Sequence, residues 1–326
     1  MRSRTAVKNA VQDTEKKPKT PFGVRAKHLL LQYKKHYPLV LMIVPGLIAL
    51  ILFNYLPIYG VTIAFKDFKL LEGITGSDWI GMDNFVELFS GNDFLHVLRN
   101  TVVISLLKLA CGLPAPIILA LLLNEVKHTA YKKVIQTFTY MPHFFSWVVL
   151  SGIITMIFST SGPVNTVIQA LGGQPLSFFG DGGLFIGLVV GTSVWQTVGW
   201  GTIIYMAALS GVDESLYEAA VIDGAGRWKQ AIYISIPCIL PTIATVFILN
   251  LGSVLNAGFD QIYNMYNPTV YEVSDIIDTY VLRRLQEMDY GIGTAADLFK
   301  SVVGLMFVLA GNWLTKKLSG DEMGIL

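Results

Sequence analysis

Long apolar runs alternate with short polar intervals along the chain. Six runs approach or exceed the roughly 20 apolar residues that a membrane span needs, and they cover residues 38–64, 97–123, 135–158, 184–209, 237–257 and 298–314. The polar intervals are too short for a large extra domain. The pattern therefore predicts an all-α integral membrane protein with six transmembrane helices. We expect a basic, disordered arm over residues 1–36, a transmembrane domain over residues 37–317 and a tail over residues 318–326.

Prolines and glycines predict interruptions within and between these helices. Pro114 and Pro116 must kink or break the second helix, because proline lacks a backbone N–H and its ring clashes with the preceding turn. Between the fourth and fifth runs, Asp213 is placed to cap a short helix that Gly224 ends. A second helix is expected from about residue 227 to residue 236, and Pro237 marks the return into the membrane.

The composition supports a membrane protein. The 326 residues are 53% hydrophobic and only 14% charged, whereas a soluble domain averages about 25% charged residues. The first apolar run is much longer than the roughly 7–15 residues of a signal-peptide core, and no cleavage pattern follows it, so we expect it to stay in the membrane.

Basic residues are concentrated on one side of the predicted spans. The arm up to Tyr37 carries ten of them, and the second loop, fourth loop and tail add Lys127, Lys132, Lys133, Arg227, Lys229, Lys316 and Lys317. The opposite loops hold four, namely Lys66, Lys69, Arg283 and Arg284. The positive-inside rule therefore predicts that both termini and the loop around Glu218 are cytoplasmic.

Motifs for catalysis are missing from the sequence. It has no Gly-x-x-x-x-Gly-Lys-Ser/Thr loop for nucleotide phosphates, no Gly-x-Ser-x-Gly elbow and no His-Glu-x-x-His pair. The five histidines are scattered and the two cysteines lie on different predicted helices. We therefore expect a non-enzymatic chain with no catalytic residues, no metal site, no cofactor of its own and no nucleic-acid partner.

The loop between the fourth and fifth spans carries a resemblance to a known family. Its residues are Glu218, Ala219, Ala220, Asp223, Gly224 and Ala225, followed by Ile236, Pro237 and Pro241. This pattern resembles the EAA loop of ABC-importer permeases, over residues 210–241. The resemblance implies the type I permease fold, in which Glu218, Ala219, Ala220, Asp223, Gly224 and Ala225 dock on a separate ATPase.

Further stretches resemble the multiple-sugar and polysaccharide branch of these permeases, over roughly residues 37–317. They include Asn100-Thr101 and residues 140–144, 146–149 and 298–304. The branch implies a bacterial inner-membrane location, a second related permease, two ATP-binding cassette subunits that hold ATP and Mg²⁺, and an extracytoplasmic solute-binding protein. It also implies an oligosaccharide as the substrate.

Polar residues inside two spans suggest the substrate path. The fifth run offers Asn250, Ser253, Asn256 and Asp260, which share about a third of a helix circumference. The fourth offers Ser193, Gln196, Thr197 and Trp200 on one side. We expect these faces to line a cavity; the alternative is hydrogen bonding between helices.

Charged residues raise the question of an acidic substrate. Lys108 is an isolated charge within the second span, and such a residue is a functional candidate. Together with Arg283 and Arg284 it could meet an acidic, uronate-type sugar, although Lys108 could also serve structural pairing.

Two other transport functions stay open at this point. An ABC permease for a different solute would differ mainly in its cavity. A secondary transporter driven by an ion gradient would need acidic residues in mid-span, and this sequence has almost none.

Overall fold

The computed structural model describes residues 37–319, so the predicted arm over residues 1–36 and the tail from residue 320 lie outside the described residues. The chain divides into two compact units between Gly60 and Val61. The first unit contains helix α1 (Tyr37–Leu50), a π-helical turn (Ile51–Tyr55) and the beginning of a 3₁₀ segment (Leu56–Phe65).

The second unit is almost entirely helical. Its two short strands, β1 (Lys66–Asp67) and β2 (Asp78–Trp79), pair antiparallel around helix α2 (Gly73–Gly76). The remaining helices are α3 (Asp83–Ser90), α4 (Asn92–Gly112), α5 (Pro114–Asn124), α6 (Thr129–Tyr140), α7 (Trp147–Phe158), α8 (Pro163–Ala170), α9 (Gly182–Leu209), α10 (Glu214–Ile222), α11 (Arg227–Gln230), α12 (Ile236–Gly252), α13 (Phe259–Met265), α14 (Tyr271–Ser274), α15 (Ile277–Gln286) and α16 (Tyr290–Ser319).

The described residues include six helical segments long and apolar enough to cross a membrane, which confirms the predicted number. They are Tyr37–Phe65, Asn92–Asn124, Trp147–Ala170, Gly182–Leu209, Arg227–Gly252 and Tyr290–Lys317. The second segment is interrupted between α4 and α5 at Leu113, where the prolines predicted a kink or break.

The third predicted span, residues 135–158, is wrong as one continuous helix. A 3₁₀ turn over Met141–Phe144 separates α6 from α7, and the Ser146 side chain caps α7 by accepting a hydrogen bond from the backbone N–H of Val149. Pro142 favours this break because it cannot donate a backbone hydrogen bond. Hydrophobicity alone concealed the break, since the residues on both sides are apolar.

The fifth predicted span is also placed differently. Helix α11, a π-helical turn over Ala231–Ser235 and α12 follow one another without a break, so the helix predicted to end at about residue 236 continues through Pro237 into α12. At its other end the helix stops at Gly252, and a 3₁₀ turn over Val254–Asn256 leads to Ala257 and Gly258. Both residues are left-handed, with φ of 41° and 87°, and this turn ends the helical periodicity assumed for residues 237–257.

Glycines in α9 set the spacing between spans. A Cβ atom added at Gly199 would lie 2.1 Å from the backbone oxygen of Thr139, and one at Gly201 would lie 3.0 Å from the ring of Pro116. The absence of side chains at Gly199 and Gly201 therefore lets α6 and α5 pack closely on α9.

One side-chain amide and one hydroxyl on α4 hold the segment that precedes α16. Asn100 donates from Nδ2 to the carbonyl oxygens of Glu272 and Asp275 at 2.8 and 3.2 Å. The neighbouring Thr101 hydroxyl accepts a hydrogen bond from the backbone N–H of Ile277 at 2.9 Å. The Asn100-Thr101 pair thus has a direct structural role at the predicted outer end of the bundle.

Candidate functional site

A cavity of about 510 Å³ lies in the second unit. It is found where α4 meets α5, beside the 3₁₀ turn that precedes α7 and at the turn that follows α12, and α9 forms one wall. Irregular backbone at membrane depth is tolerated where it lines a cavity, and ligand pockets commonly measure about 300–1,000 Å³. The location and size therefore make this cavity the candidate substrate path.

Five of the seven residues predicted for the substrate path line this cavity: Lys108, Trp200, Asn250, Ser253 and Asn256. Ser193 and Thr197 of the same predicted α9 face line it as well. The predicted faces on the fourth and fifth spans therefore meet, although Ser253 and Asn256 lie beyond the end of α12 rather than on its helical face.

Gln196 and Asp260 are not among the residues that line the cavity. On α9, Gln196 lies at one edge of the arc of about 100° that also carries Trp200, Ser193 and Thr197, and the cavity wall does not extend to it. Asp260 is exposed on α13, beyond the left-handed turn at Ala257 and Gly258. The placement predicted for Asp260 assumed one uninterrupted helix, and that assumption is wrong.

Lys108 reaches across the cavity wall to the turn that follows α12. Its Nζ atom donates to the carbonyl oxygen of Ala257 at 2.7 Å and to Oε1 of Gln261 at 2.6 Å. Gln261 in turn donates from Nε2 to Thr192 Oγ1 and to the carbonyl oxygen of Val189, both at 2.8 Å. The lysine of the second span, the segment after the fifth span and the fourth span are therefore joined by one network.

His143 is a cavity residue that the sequence reasoning missed. The 3₁₀ turn around Pro142 places its imidazole parallel to the Trp200 indole, with ring centroids 4.7 Å apart and an interplanar angle of 6°. Phe144 meets the same indole edge-on at 5.8 Å. These rings fix the orientation of Trp200, an aromatic group of the kind on which sugar rings stack. A histidine next to Pro142 inside an apolar run is the signal that could have indicated it.

The second predicted site, the loop around Glu218, is built as two short helices joined by a glycine turn. Asp213 caps α10 by accepting a hydrogen bond from the backbone N–H of Ser215 at 3.0 Å, and this bond lowers the pKa of the Asp213 carboxyl. Gly224 has a φ of 76°, in the left-handed region, and ends α10. The turn is closed by a 2.8 Å hydrogen bond from Ala225 N to Ala220 O.

Two side-chain contacts hold this loop on the rest of the second unit. The hydroxyls of Tyr217 and Ser235 lie 2.9 Å apart, which joins α10 to the π-helical turn. Arg227 Nε lies 3.4 Å from a carboxylate oxygen of Glu125 at the end of α5. The loop is therefore connected directly to the second and fifth spans, and both spans also contribute residues to the cavity wall.

The loop presents an exposed surface of mixed chemistry. Glu218, Ala219, Asp223 and Gly224 are exposed, whereas Ala220 and Ala225 are half-buried. Ile222 and Trp228 beside them are 86% and 80% exposed, respectively. An exposed apolar patch with an acidic rim is typical of a protein-binding surface. The predicted coupling residues thus lie on one largely accessible loop, residues 213–230, which we call the elbow.

The paired arginines do not supply free positive charge near the predicted outer end. Arg283 lies 2.6 Å from Asp275, a contact that raises the pKa of its guanidinium, and Arg284 lies 3.6 and 3.5 Å from Glu287 and Asp289. Both side chains therefore meet carboxylates of their own chain.

The comparisons with known proteins all indicate the same protein family. Residues 112–320 match the model for the binding-protein-dependent transport system inner membrane component. Protein LplB of Bacillus subtilis (strain 168) is 44% identical over 289 residues, which cover 88% of this chain and 90% of LplB. The polygalacturonan/rhamnogalacturonan transport system permease protein YteP of the same strain is 41% identical, over 91% of this chain and 93% of its own length.

A solved structure has the same fold. It is a crystal structure of a bacterial ABC transporter involved in the import of the acidic polysaccharide alginate, and one of its chains is 37% identical to this one with a TM-score of 0.83. The match covers 90% of this chain and 99% of that chain. A second structure, in complex with an alginate pentasaccharide-bound periplasmic protein, matches at 36% identity and the same TM-score.

Proposed function

We propose a substrate and a set of partners for this chain on the premise that it belongs to the family of binding-protein-dependent transport system inner membrane components. Membership makes it a multi-pass inner-membrane subunit that transports rather than catalyses. We propose that it forms, with a second related permease, the path of an ATP-driven importer for oligosaccharides. Two ATP-binding cassette subunits would hydrolyse ATP with Mg²⁺, and an extracytoplasmic binding protein would deliver the substrate.

The observation that carries the oligosaccharide assignment is the chemistry of the cavity wall. Amide and hydroxyl groups of Asn250, Asn256, Ser253 and Ser193 face the same space as the Trp200 indole. Sugars present hydroxyl groups at their rims and apolar faces between them, so they fit a wall of this kind. YteP and the alginate importer, both similar over most of the chain, are described as polysaccharide transporters.

The proposed mechanism couples the cavity to ATP through the loop around Glu218. ATP-driven closure of the ATPase pair would move α10, and the Tyr217–Ser235 and Arg227–Glu125 contacts would carry this movement to the fifth and second spans. Moving such an equilibrium from 1:99 to 99:1 takes about 5.5 kcal/mol of differential binding. The elbow must therefore be held firmly on both spans.

The cavity disfavours the rival in which an ion gradient drives the chain alone. No Asp or Glu is present among the described residues that line it, whereas acidic groups at such positions are typical of the proton relays of ion-driven transporters. A permease of this family for amino acids or phosphate is the second alternative, and it predicts a different stimulating solute.

The test is ATP hydrolysis by the complete importer in liposomes with its binding protein. We expect oligosaccharides to stimulate hydrolysis and Trp200→Ala to reduce that stimulation without lowering the basal rate. An amino acid or phosphate that stimulates hydrolysis while oligosaccharides do not would overturn the assignment. Uptake by the purified chain alone, driven by a proton or sodium gradient, would favour the rival.

A further inference from the structure

We infer that Lys108 selects carboxylate-bearing oligosaccharides, and that Gln261 and Thr192 hold its ammonium group in the selecting position. This inference rests on the proposed function, because it names the substrate class that the same cavity takes. The first observation behind the inference is that Lys108 has only neutral hydrogen-bond partners.

Lys108 lacks a counter-ion among the described residues. Its two hydrogen-bond partners, the Ala257 carbonyl and the Gln261 side-chain oxygen, are both neutral. By contrast, Arg283 and Lys300 are matched by Asp275 and Asp278 at 2.6 and 2.5 Å. A cation that is removed from water without a counter-ion is unfavourable, so an anion that enters the cavity gains more at Lys108 than a neutral ligand does.

The ammonium group is fixed in position by its surroundings. Gln261 is 1% exposed, and its Nε2 atom donates to Val189 O and Thr192 Oγ1. Because both donor hydrogens are used there, the Gln261 oxygen must face Lys108. A Cβ atom at Gly258 would lie 2.5 Å from the Lys108 Nζ atom. The missing side chain at this glycine therefore leaves room for the ammonium group.

Geometry leaves Lys108 able to bind a ligand as well. An ammonium group has three donors, and two are used in the bonds to Ala257 and Gln261. The side chain lines the cavity together with Asn250, Ser253 and Trp200. A uronate ring can therefore place its carboxylate at Lys108 while its hydroxyl groups meet the amide and hydroxyl wall.

The test is direct binding of two matched sugars to the purified complete importer without its binding protein, which removes that protein's own selectivity. The probes are a linear triuronide, such as trigalacturonate, and its neutral methyl ester. We expect the wild-type importer to bind the acid about tenfold tighter, as befits one charge-assisted contact, and Lys108→Met to bind both sugars alike.

Gln261→Glu is the variant that separates charge from structure. It keeps the size of the side chain and places a carboxylate beside Nζ, so it should remove the preference for the acid while the ester still binds. Lys133→Met, which removes an exposed lysine on α6, is the control and should keep the preference.

Three results would overturn the inference. The first is an unchanged preference for the acid in both Gln261→Glu and Lys108→Met. The second is an equal loss of affinity for the acid and the ester in both variants. The third is no binding of either sugar by the wild type at millimolar concentration. In each case, stimulation of ATP hydrolysis by oligosaccharides with the binding protein present would leave the proposed function intact. A failure of that stimulation would remove the proposed function itself.

Discussion

Gly199 determines how closely α6 and α9 approach. We expect Gly199→Ala to lower the free energy of unfolding of the purified chain by about 1–3 kcal/mol. The added Cβ would lie 2.1 Å from the Thr139 backbone oxygen, and this backbone atom can move away only if α6 shifts. Gly187→Ala on the same helix is the matched control, since a Cβ there meets nothing within 4 Å. The measurement is thermal unfolding in detergent, and equal melting temperatures for the two variants would contradict the close approach.

Single residues also show what the sequence could and could not predict about the site. Lys108 was identifiable because a charge inside an apolar run is costly wherever it points. Gln261 was not, because its partner Lys108 is 153 positions away and Thr192 is 69 positions away in the chain. His143 was missed for a related reason, since its role follows from a break in the third span that hydrophobicity does not reveal.

At the scale of elements, Asn100 joins α4 to the segment that leads into α15. We expect Asn100→Asp to loosen that segment by about 1–3 kcal/mol, because a carboxylate would face two carbonyl oxygens that now accept hydrogen bonds. Trypsin cleavage after Arg283 or Arg284 in the folded protein should become faster. Asn264→Asp, at a half-buried position whose side chain donates to the nearby Asp260 carbonyl, should leave the cleavage rate unchanged. Equal cleavage rates in the two variants would show that Asn100 is dispensable.

The helix α10 is the element on which coupling is predicted to depend. We expect Glu218→Lys to leave the chain in the membrane but to weaken co-purification of the ATPase subunits about tenfold, because it reverses a charge on the exposed docking face. Co-purification is measured by pull-down of the tagged permease from detergent extracts. Glu87→Lys on α3, also exposed, makes the same charge change away from the elbow and should have no effect. Normal recovery of the ATPases with Glu218→Lys would refute the docking role.

The spans themselves were predictable to the extent that hydrophobicity determines them. Apolar length gave the number of membrane helices, which the structure confirms. The ends of the third and fifth spans were not predictable from length, because the Ser146 cap sets the start of α7 and α12 stops at Gly252, ahead of the left-handed turn at Ala257 and Gly258. Those same departures from regular helix build the cavity, so the errors in the prediction fall at the functional site.

The distribution of charge predicts how the whole molecule sits in the membrane. The basic arm and the loops with Lys132, Lys133 and Lys229 should be cytoplasmic, and the hairpin between β1 and β2 should face the outside. This orientation is required by the proposed mechanism, since an ATPase can reach only a cytoplasmic elbow. In this orientation α15 lies on the outer side, so we expect the ligand to enter the Lys108 cavity from that side.

Cysteine labelling tests this orientation. Cys111 and Cys238 are exposed, so both would first be replaced by serine. We expect Leu71→Cys, at a fully exposed position in the hairpin, to react with a membrane-impermeant maleimide on protoplasts, which lack the cell wall but keep a closed inner membrane. Glu218→Cys should react only after the membrane is opened. Labelling of Glu218→Cys on intact cells would place the elbow outside, where no ATP-driven partner could bind it, and the importer mechanism would be lost with it.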